Sequence, residues 1–432
     1  MAASASNESK PAQRGLVGGL KSALWFGLGV AALYNVVATC YVFYVLMKAS
    51  QGEFGSALAE TDHLRRIFPT HFEYVNRLVV LPFPNYAAKR YYESQKDVFA
   101  EAASNFKLHP YFTNNEAKEG MTFREVLTER VKAMYRRLRD DDRMDYRVEK
   151  DRCALFEFLR RNEIAHPKVK KMWYSREEIV ADVESGAAVE LMENWPVFFK
   201  ACHLTQQSSE GTYPISTREK FENKKDDLID FINKKWVYRA RDVDRPWQKE
   251  GDAITDVLTP SFLIQEPMQQ SVDQSRGEYT MNGRVSVGLV EVRAEVIWGK
   301  VYFVNLDATT IFTRNGNIED YTGFMGGVLH MPPEGGERVS WVRDEGYLDC
   351  VIETAELVAN RAHVEYLRVD VFLNRGDPSG CVVNEISLTS GYVYFGHENY
   401  IAKLWAAGLE NKTYSVFESN KPVYELTAAD SA

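Results

Sequence analysis

Hydrophobic and polar residues alternate in two neighbouring stretches towards the C-terminus. The apolar runs Tyr366–Leu373 and Cys381–Ile386 flank a turn rich in Asn, Gly, Asp, Pro and Ser. This pattern predicts a β-hairpin with a long loop. Alternation places Arg368 and Asp370 on one face of the first strand. If the two strands pair, Glu385 in the second strand can lie beside Asp370.

Two carboxylates and an arginine are costly to bury on an apolar hairpin unless another group neutralises them. Magnesium with phosphate oxygens is one candidate, because this ion is usually held by one or two carboxylates together with substrate phosphates. A surface ion pair between Arg368 and one carboxylate is the other interpretation. The spacing alone leaves both open.

From Asp151 onward the apolar pattern switches between the helical and the strand period, which predicts alternating helices and strands. The predicted helices are Cys153–Arg161, Glu177–Glu184, Thr217–Trp236, Asp349–Ala362 and Asn399–Ala407. The predicted strands are Trp195–Lys200, Ser261–Pro267, Val290–Trp298 and Val301–Asp307, the last two joined by a tight turn at Gly299-Lys300. In the strand beginning at Val290, Glu291, Arg293 and Glu295 form a charged face.

One lysine ends an apolar strand beside a polar stretch. Lys200 is followed shortly by the run Gln206–Thr212, which contains one glycine. A lysine in this position can contact a phosphate, or it can be an edge lysine whose stem covers apolar surface. The stretch lacks the glycines of a P-loop.

The segment Gln51–Tyr146 predicts a mostly helical, charged stem. Its clearest helix is Thr122–Leu138, where apolar residues recur at helical spacing among paired charges.

The segment Ala23–Met47 runs for 25 residues without a charge. At about 1.5 Å per residue, a helix of this length crosses the roughly 30 Å hydrocarbon layer. A buried core helix is an alternative, and so is a cleaved signal peptide. The apolar part of a signal peptide is shorter, about 7–15 residues, and the nearest Ala-x-Ala, Ala57–Ala59, lies well beyond the apolar end. We therefore expect an uncleaved transmembrane signal anchor.

The basic residues Lys10, Arg14 and Lys21 precede this segment. The positive-inside bias places residues 1–22 in the cytoplasm and the large C-terminal part in the lumen of the secretory pathway, with the ER or Golgi expected, or outside the cell. The sequon Asn411-Lys412-Thr413 could then be glycosylated.

The composition of the chain limits which partners, metal sites and disulfides are expected. The 432-residue chain has a net charge of −9, which argues against a general nucleic-acid binder. Its five cysteines include no CxxC pattern, so a structural zinc site is not expected. One or two disulfides can form in an oxidising compartment among the last four cysteines, and their pairing stays open. Those cysteines are Cys153, Cys202, Cys350 and Cys381.

Several of these stretches resemble the ATP-grasp superfamily, and most closely the TupA-like ATP-grasp family of teichuronopeptide synthesis. The resemblance covers residues 151–408 and is most specific in RVDVF, followed by a turn and VVNEISLTSG. That pair is similar to the strands that carry magnesium ligands in ATP-grasp ligases. PVFFKACH resembles a strand that ends in a nucleotide-binding lysine. FLIQEP resembles the strand that leads into the adenine-binding hinge, and VRAEVIWGKVYFV resembles the central hairpin.

The resemblance implies an α+β fold of antiparallel sheets with helices, behind the N-terminal transmembrane helix and the helical stem. It also implies a role for each matching residue. Lys200 would contact the phosphates of ATP, and Gln265 and Glu266 would border the adenine. Asp370 and Glu385 would hold Mg²⁺. By the same resemblance, Arg368 would stabilise negative charge that develops during the reaction, and Gly391 would bring the backbone close to the substrate.

Two residues depart from the family pattern. Ser387 stands where an asparagine metal ligand is common, and Arg152 replaces the lysine of an Asp-Lys pair near the nucleotide. The implied domain plan is a cytoplasmic tail (1–22), an anchor (23–47), a helical stem (48–150), an ATP-grasp-like domain (151–408) and a C-terminal tail (409–432).

The implied function is a membrane-anchored, ATP- and Mg²⁺-dependent ligase that joins a carboxylate to an amine on a small-molecule, glycan or peptide acceptor. One alternative is a Golgi-type glycosyltransferase that uses Asp242-Val243-Asp244 as its Asp-x-Asp metal motif. Another is a tethered nucleotide-binding module without turnover, for which Ser387 would be suited.

Overall fold

The structure is a computed structural model. It describes residues 30–45, 47, 67, 83–113, 115, 117–205, 211–268, 279–281, 284–286, 290–306, 310–320, 339–373, 377–391 and 394–431. The predicted cytoplasmic tail, the first part of the predicted stem and residues 206–210 of the polar run lie outside the described residues. The chain divides into two compact units, residues 1–83 with 323–333, and residues 84–322 with 334–432.

In the first unit, residues 30–45 form a helix. The predicted anchor begins earlier, at Ala23, and residues 23–29 lie outside the described part of the chain. Among the residues that are described, no helix combines the length and the apolar character needed to cross a bilayer. The anchor therefore stays a prediction.

The described elements form an α+β fold, as the sequence predicts. The helices are α1 (Phe83–Asn105), α2 (Phe123–Asp141), α3 (Arg147–Lys150), α4 (Arg152–Arg161), α5 (Arg176–Ser185), α6 (Arg218–Asn223), α7 (Lys225–Val237), α8 (Gln248–Asp256), α9 (Trp341–Asp344), α10 (Tyr347–Ala362) and α11 (His397–Asn411). The strands are β1 (Lys107–Leu108), β2 (Val169–Trp173), β3 (Val197–Ala201), β4 (Thr212–Ile215), β5 (Phe262–Gln265), β6 (Tyr279–Met281), β7 (Arg284–Ser286), β8 (Val290–Ile297), β9 (Lys300–Leu306), β10 (Thr310–Thr313), β11 (Ile318–Asp320), β12 (Tyr366–Leu373), β13 (Val382–Ser387) and β14 (Ser415–Val416).

A four-stranded antiparallel sheet has the strand order β2-β5-β3-β4. One face of this small sheet packs into a core with apolar residues of α5 and α7, and Phe199 of β3 and Ile264 of β5 point into that core. Since side chains alternate along a strand, Lys200 and Gln265 lie on the opposite face. The small sheet thus presents a lysine on the side that its own helices do not cover.

A six-stranded antiparallel sheet has the order β11-β10-β9-β8-β12-β13. Alternate residues such as Val292, Ala294 and Val369 are fully buried, and α10 packs against β8, β9 and β12. The turn between β8 and β9 falls at Trp298 and Gly299, and both residues have positive φ, as a tight hairpin with a right-handed twist requires.

The predicted C-terminal hairpin is confirmed as β12 and β13. Its register pairs Arg368 with Ser387 and Asp370 with Glu385, and a bulge at Asn384 shifts the register immediately beyond that pair. Residues that are directly opposite share a face of the sheet. Asp370 and Glu385 therefore point to the same side.

Residues 84–150 and 409–432 belong to the same compact unit as most of residues 151–408, and the domain boundaries after residues 150 and 408 stay a prediction. The Tyr91 hydroxyl in α1 donates to the Tyr302 carbonyl in β9. Strand β1 pairs with β14 in parallel, with Lys107 opposite Ser415. Contacts of this kind are made between segments distant in sequence, so helical periodicity in the predicted stem could not reveal them.

The structure also pairs the cysteines and divides one predicted helix. Two disulfides, Cys153–Cys202 and Cys350–Cys381, join Cα atoms that are 5.4 and 6.1 Å apart. The predicted helix Thr217–Trp236 is two helices, α6 and α7, because the backbone leaves helical geometry at Lys224.

Candidate active site

A layer of charged side chains lies on one face of the large sheet, across its strands β8, β12 and β13. The register places Arg368 between Glu295 and Ser387, and it places Asp370 between Arg293 and Glu385. We call this the charged face; its members are Glu291, Arg293, Glu295, Arg368, Asp370 and Glu385. The alternation that the sequence shows separately in two strands becomes one surface because the strands are neighbours.

Arg368 and Asp370 form a bidentate ion pair, with Nε and Nη2 of the arginine 2.6 and 2.8 Å from the carboxylate oxygens. Nη1 of Arg368 donates to the Ser390 hydroxyl at 3.0 Å. Burial by itself would lower the pKa of Arg368, but the charge of Asp370 raises it well above its ordinary value. Arg368 is therefore a fixed positive charge held in a defined orientation.

Glu385 is the carboxylate most affected by this crowding. Burial and the nearby charge of Asp370 raise its pKa to about 7, although Arg152, 3.7 Å away, opposes the rise. Burial and Asp370 also raise the pKa of Glu291, whose carboxylate accepts a hydrogen bond from Asn384 at 2.7 Å. Three acidic groups thus share a space in which a bound cation would relieve their repulsion.

Lys200, in β3, is the residue through which the small sheet contributes to this site. Its ammonium donates to Gln265 Oε1 at 2.9 Å. Burial and the charge of Arg152 lower the pKa of Lys200 to about 7, while Glu291 and Glu385 act in the opposite direction. Arg152 links the two sheets at this point, because its guanidinium lies 3.7 Å from Glu385 and its N–H donates to the carbonyl of Cys202, directly after β3.

A covalent link fixes Arg152 relative to Lys200. Asp151 caps α4 by accepting hydrogen bonds from the N–H groups of Cys153 and Ala154, at 3.0 and 3.3 Å. The Arg152 N–H donates to the Cys202 carbonyl at 2.9 Å, beside the Cys153–Cys202 disulfide. Asp151 and the two sulfurs lie close together. The sulfurs are bonded to each other, however, so they are not free to ligate a metal.

The carboxylate of Glu266, a predicted neighbour of adenine, is engaged within the protein. It accepts hydrogen bonds from the Glu193 N–H at 2.8 Å and the Asn194 amide at 3.2 Å. Lys168 and Lys170 lie 3.3 and 3.2 Å away. Burial would raise the pKa of Glu266, but these partners lower it to about 2. A contact between this residue and a nucleotide would therefore come from its backbone.

Two side chains from outside the hairpin, those of Glu149 and Arg130, hold the segment that follows β13. Glu149 accepts hydrogen bonds from the Leu388 N–H and the Thr389 hydroxyl, both at 2.6 Å. The buried guanidinium of Arg130 donates to the carbonyls of Leu388 and Tyr366. These contacts hold the segment in which the Ser390 hydroxyl accepts a hydrogen bond from Arg368.

Gly391 lies directly against another arginine. A Cβ at this position would be 1.3 Å from Nη1 of Arg245, so any larger residue would displace the guanidinium. The resemblance implies that Gly391 brings the backbone close to the substrate, and this role stays a prediction. In the structure the group that lies against Gly391 is the side chain of Arg245.

The Asp-x-Asp motif has another role in the structure. Asp242 is 8% exposed and accepts a hydrogen bond from Trp247 Nε1 at 2.7 Å, and its N–H donates to Asp252 at 2.8 Å. Asp244 has a positive φ of 63° and lies in a turn. The two aspartates therefore differ in burial and bonding, and Asp242 stabilises the segment that contains it.

Solved structures with a similar arrangement come from ATP-grasp proteins. A RimK domain ATP-grasp protein from Sphaerobacter thermophilus is 16% identical with a TM-score of 0.32, and the match covers 62% of this chain and 69% of that chain. D-alanine–D-alanine ligase from Bacillus anthracis is 13% identical with a TM-score of 0.30, and the match covers 62% of this chain and 71% of that chain. L-amino acid ligase from Bacillus licheniformis is 11% identical with a TM-score of 0.31, and the match covers 62% of this chain and 51% of that chain.

A likeness of this size carries no argument about family or activity. No family model matches the chain, and no curated protein matches it.

Several residues around the site come from segments that sequence reasoning did not assign to it. Glu295 is fully buried, and its carboxylate accepts hydrogen bonds from the hydroxyls of Tyr366 and Tyr394. Burial raises the pKa of Glu295 to about 7. The alternation of charged residues in β8 is visible in the sequence, and it matches the alternation in β12. This match is the sequence signal that could have assigned Glu295 to the site. Arg130 and Arg245 carry no comparable local signal.

Proposed function

We propose that this chain is an ATP- and Mg²⁺-dependent ligase that joins a carboxylate to an amine. The observation that carries the proposal is the convergence of Asp370 and Glu385 on one face of the large sheet with Lys200 of the small sheet and with Arg152 of α4, which lies 3.7 Å from Glu385. Paired carboxylates next to several buried cations suit a triphosphate that is bound together with a metal ion. The likeness of quoted motifs to ATP-grasp ligases is consistent with this chemistry.

The residues present fit a magnesium site. Asp370 and Glu385 supply hard carboxylate oxygens. Burial and the charge of Asp370 raise the pKa of Glu385, and a cation bound between the two carboxylates would offset both effects. Ser387 lies opposite Arg368 in the register, where the ATP-grasp pattern often has asparagine. Magnesium held there would neutralise the charge of the phosphates.

The reaction that suits this site has two steps. The substrate carboxylate attacks the γ-phosphorus of ATP, which forms an acyl phosphate and releases ADP. The amine then attacks the acyl carbon, and phosphate leaves as the amide forms and the amine loses a proton. Arg368, which is held by Asp370 and Ser390, would stabilise negative charge on the acyl phosphate and the tetrahedral intermediate.

The test is ATP binding by the full-length protein, measured as a thermal shift with and without magnesium. We expect a magnesium-dependent shift that Asp370→Asn and Glu385→Gln both abolish. Asp377→Asn is the matched control, because Asp377 lies in the loop of the same hairpin and hydrogen-bonds Ser379 outside the site. The proposal fails if wild-type protein shows no shift, or if the site variants behave like the control.

Turnover separates the ligase from a module that binds nucleotide without reaction. Release of ADP that depends on added carboxylates and amines supports the ligase. A stoichiometric shift without ADP release would support the second function, and Ser387→Asn would then test whether the serine limits catalysis.

We also propose that residues 23–47 anchor the protein in a membrane of the secretory pathway, with the ligase site in the lumen and a glycan or peptide as acceptor. The uncharged segment and two disulfides support an oxidising compartment. The sequon at Asn411 is exposed at the end of α11. In cells we expect a glycosidase-sensitive mass shift that Thr413→Ala removes, and an unglycosylated cytosolic protein would contradict the placement.

A further inference from the structure

Four consecutive charged residues are buried where the chain passes from α3 into α4. Glu149, Lys150, Asp151 and Arg152 are 6%, 4%, 1% and 5% exposed. Charged side chains are almost never buried to this extent unless they are paired. We call residues 149–152 the charged linker. Its partners must lie within the protein, and they are found in two different parts of the candidate site.

The first two residues of the charged linker contact the segment that follows β13. Glu149 accepts hydrogen bonds from the Leu388 N–H and the Thr389 hydroxyl, each at 2.6 Å. Nζ of Lys150 lies 2.6 Å from the Glu149 carboxylate and donates to the Thr389 hydroxyl oxygen at 3.3 Å. The hydroxyl therefore donates to one residue of the linker and accepts from the other. Burial would raise the pKa of Glu149, but Lys150 and these hydrogen bonds lower it, so the carboxylate is charged.

The last residue of the charged linker contacts the side chains proposed to bind ATP and magnesium. The guanidinium of Arg152 lies 3.7 Å from Glu385, and its charge lowers the pKa of Lys200. Its backbone N–H donates to the Cys202 carbonyl at 2.9 Å. Because Arg152 is only three residues beyond Glu149, a short and buried stretch of backbone joins this part of the site to the segment after β13.

That segment carries the partner of Arg368. The Ser390 hydroxyl accepts from Arg368 at 3.0 Å, and it directly follows the residues that Glu149 holds. A displacement of about 1 Å in such a site can lower a rate about a hundredfold. Resting on the proposed ligase function, we propose that Glu149 is a positioning residue, which holds residues 388–391 in a fixed place relative to Arg152. Binding of ATP and magnesium at one end of the charged linker then steadies the segment at the other end.

The experiment is amide hydrogen exchange on the full-length protein, followed in peptides that cover residues 388–391. In wild-type protein we expect ATP with magnesium to slow this exchange at least about fivefold, which is a coupling of ordinary size between two sites. In Glu149→Gln the exchange should no longer respond to nucleotide. Calorimetry should still find an ATP affinity within about twofold of wild type, because a segment that is uncoupled from the nucleotide does not change its binding.

Two variants of Thr389 test the same contact without breaking the ion pair between Glu149 and Lys150. Thr389→Val removes the hydroxyl that both residues use, and it should also lose the response to nucleotide. Thr389→Ser restores the hydroxyl and should recover the response. This pair decides the question if Glu149→Gln, which leaves a buried lysine without its partner, fails to fold.

Asp145→Asn is the matched control for a loss of stability. The Asp145 carboxylate is also fully buried, accepts a hydrogen bond from a backbone N–H, that of Val423 at 2.8 Å, and pairs with Arg143 at 2.9 Å. It lies just before α3 but does not contact residues 388–391. The variant should be less stable and should keep the full response to nucleotide.

The positioning role and the ligase function fail in distinguishable ways. The positioning role is overturned if wild-type protein binds ATP and residues 388–391 do not respond. It is equally overturned if Thr389→Val keeps the response, or if Asp145→Asn loses it as fully as Glu149→Gln does. If wild-type protein does not bind ATP, the ligase proposal itself is refuted, and the role of Glu149 that rests on it is refuted too.

Discussion

The pKa of Lys200 makes nucleotide binding sensitive to pH in a way that can be calculated. Burial and Arg152 lower this pKa from 10.5 to about 7 in the free protein. A bound triphosphate places negative charge beside the ammonium, which should return the pKa to its ordinary value or above. Between these two values the complex binds one proton more than the free protein. ATP affinity must therefore fall as pH rises through this range.

The size of the effect follows from the fraction of protein in which Lys200 is protonated. This fraction is about one-tenth at pH 8 and about one-hundredth at pH 9, so affinity should fall about tenfold, or about 1.4 kcal/mol. Between pH 8 and pH 9 the other groups that titrate near neutrality change their protonation very little. Glu385, with its pKa of about 7, is almost fully ionised by then, and so is a terminal phosphate, whose second pKa is about 6.

Titration calorimetry with ATP and magnesium at the two pH values measures this change directly. Lys200→Arg is the matched control, because its guanidinium stays protonated throughout and its affinity should be flat. Lys200→Met should bind weakly at both pH values. If the wild-type affinity is as flat as that of the arginine variant, Lys200 does not contact the nucleotide in its charged form, and its proposed role in binding the phosphates of ATP is refuted.

The buried pair of Arg130 and Glu365 should be costly to break: Arg130→Met is expected to lower the free energy of unfolding by about 3–5 kcal/mol in urea, and adding Glu365→Gln should recover part of it. An unchanged midpoint in the single variant would contradict this. Replacing Cys153 and Cys202 together by alanine should lower the free energy of unfolding by about 4 kcal/mol, as expected for a disulfide that spans 49 residues. The same variant should bind ATP more weakly, because the disulfide holds Arg152 and Lys200 near each other. A reductant should have both effects on wild-type protein. Asp242→Asn should cost about 1–3 kcal/mol and leave ATP affinity unchanged. Sugar-nucleotide turnover that disappears in this variant while its stability is retained would favour a glycosyltransferase instead.

The sequence by itself determined the elements whose stability is local. Alternation over Tyr366–Leu373 specified a strand with Arg368 and Asp370 on one side, because side chains in a strand alternate whatever the strand pairs with. The helix predicted at Thr122–Leu138 begins where Thr122 and Glu125 form a capping box, which involves only neighbouring residues. Arg368, Asp370 and Glu385 follow from this alternation, and Lys200 follows from its place at the end of an apolar strand. The site roles of Arg152, Gln265, Glu266 and Gly391 are implied only by the resemblance.

Only the tertiary structure decided which of these elements meet. The pairing of β8 with β12 added Glu291, Arg293 and Glu295 to the site, and neither strand alone encodes its neighbour. Packing likewise placed Arg245 on Gly391. The disulfide pairing and the inclusion of residues 84–150 in the main unit were decided in the same way. The physical reason is that periodicity and capping act over a few residues, whereas strand order, ion pairs and side-chain close contacts depend on how whole surfaces fit once the chain has folded.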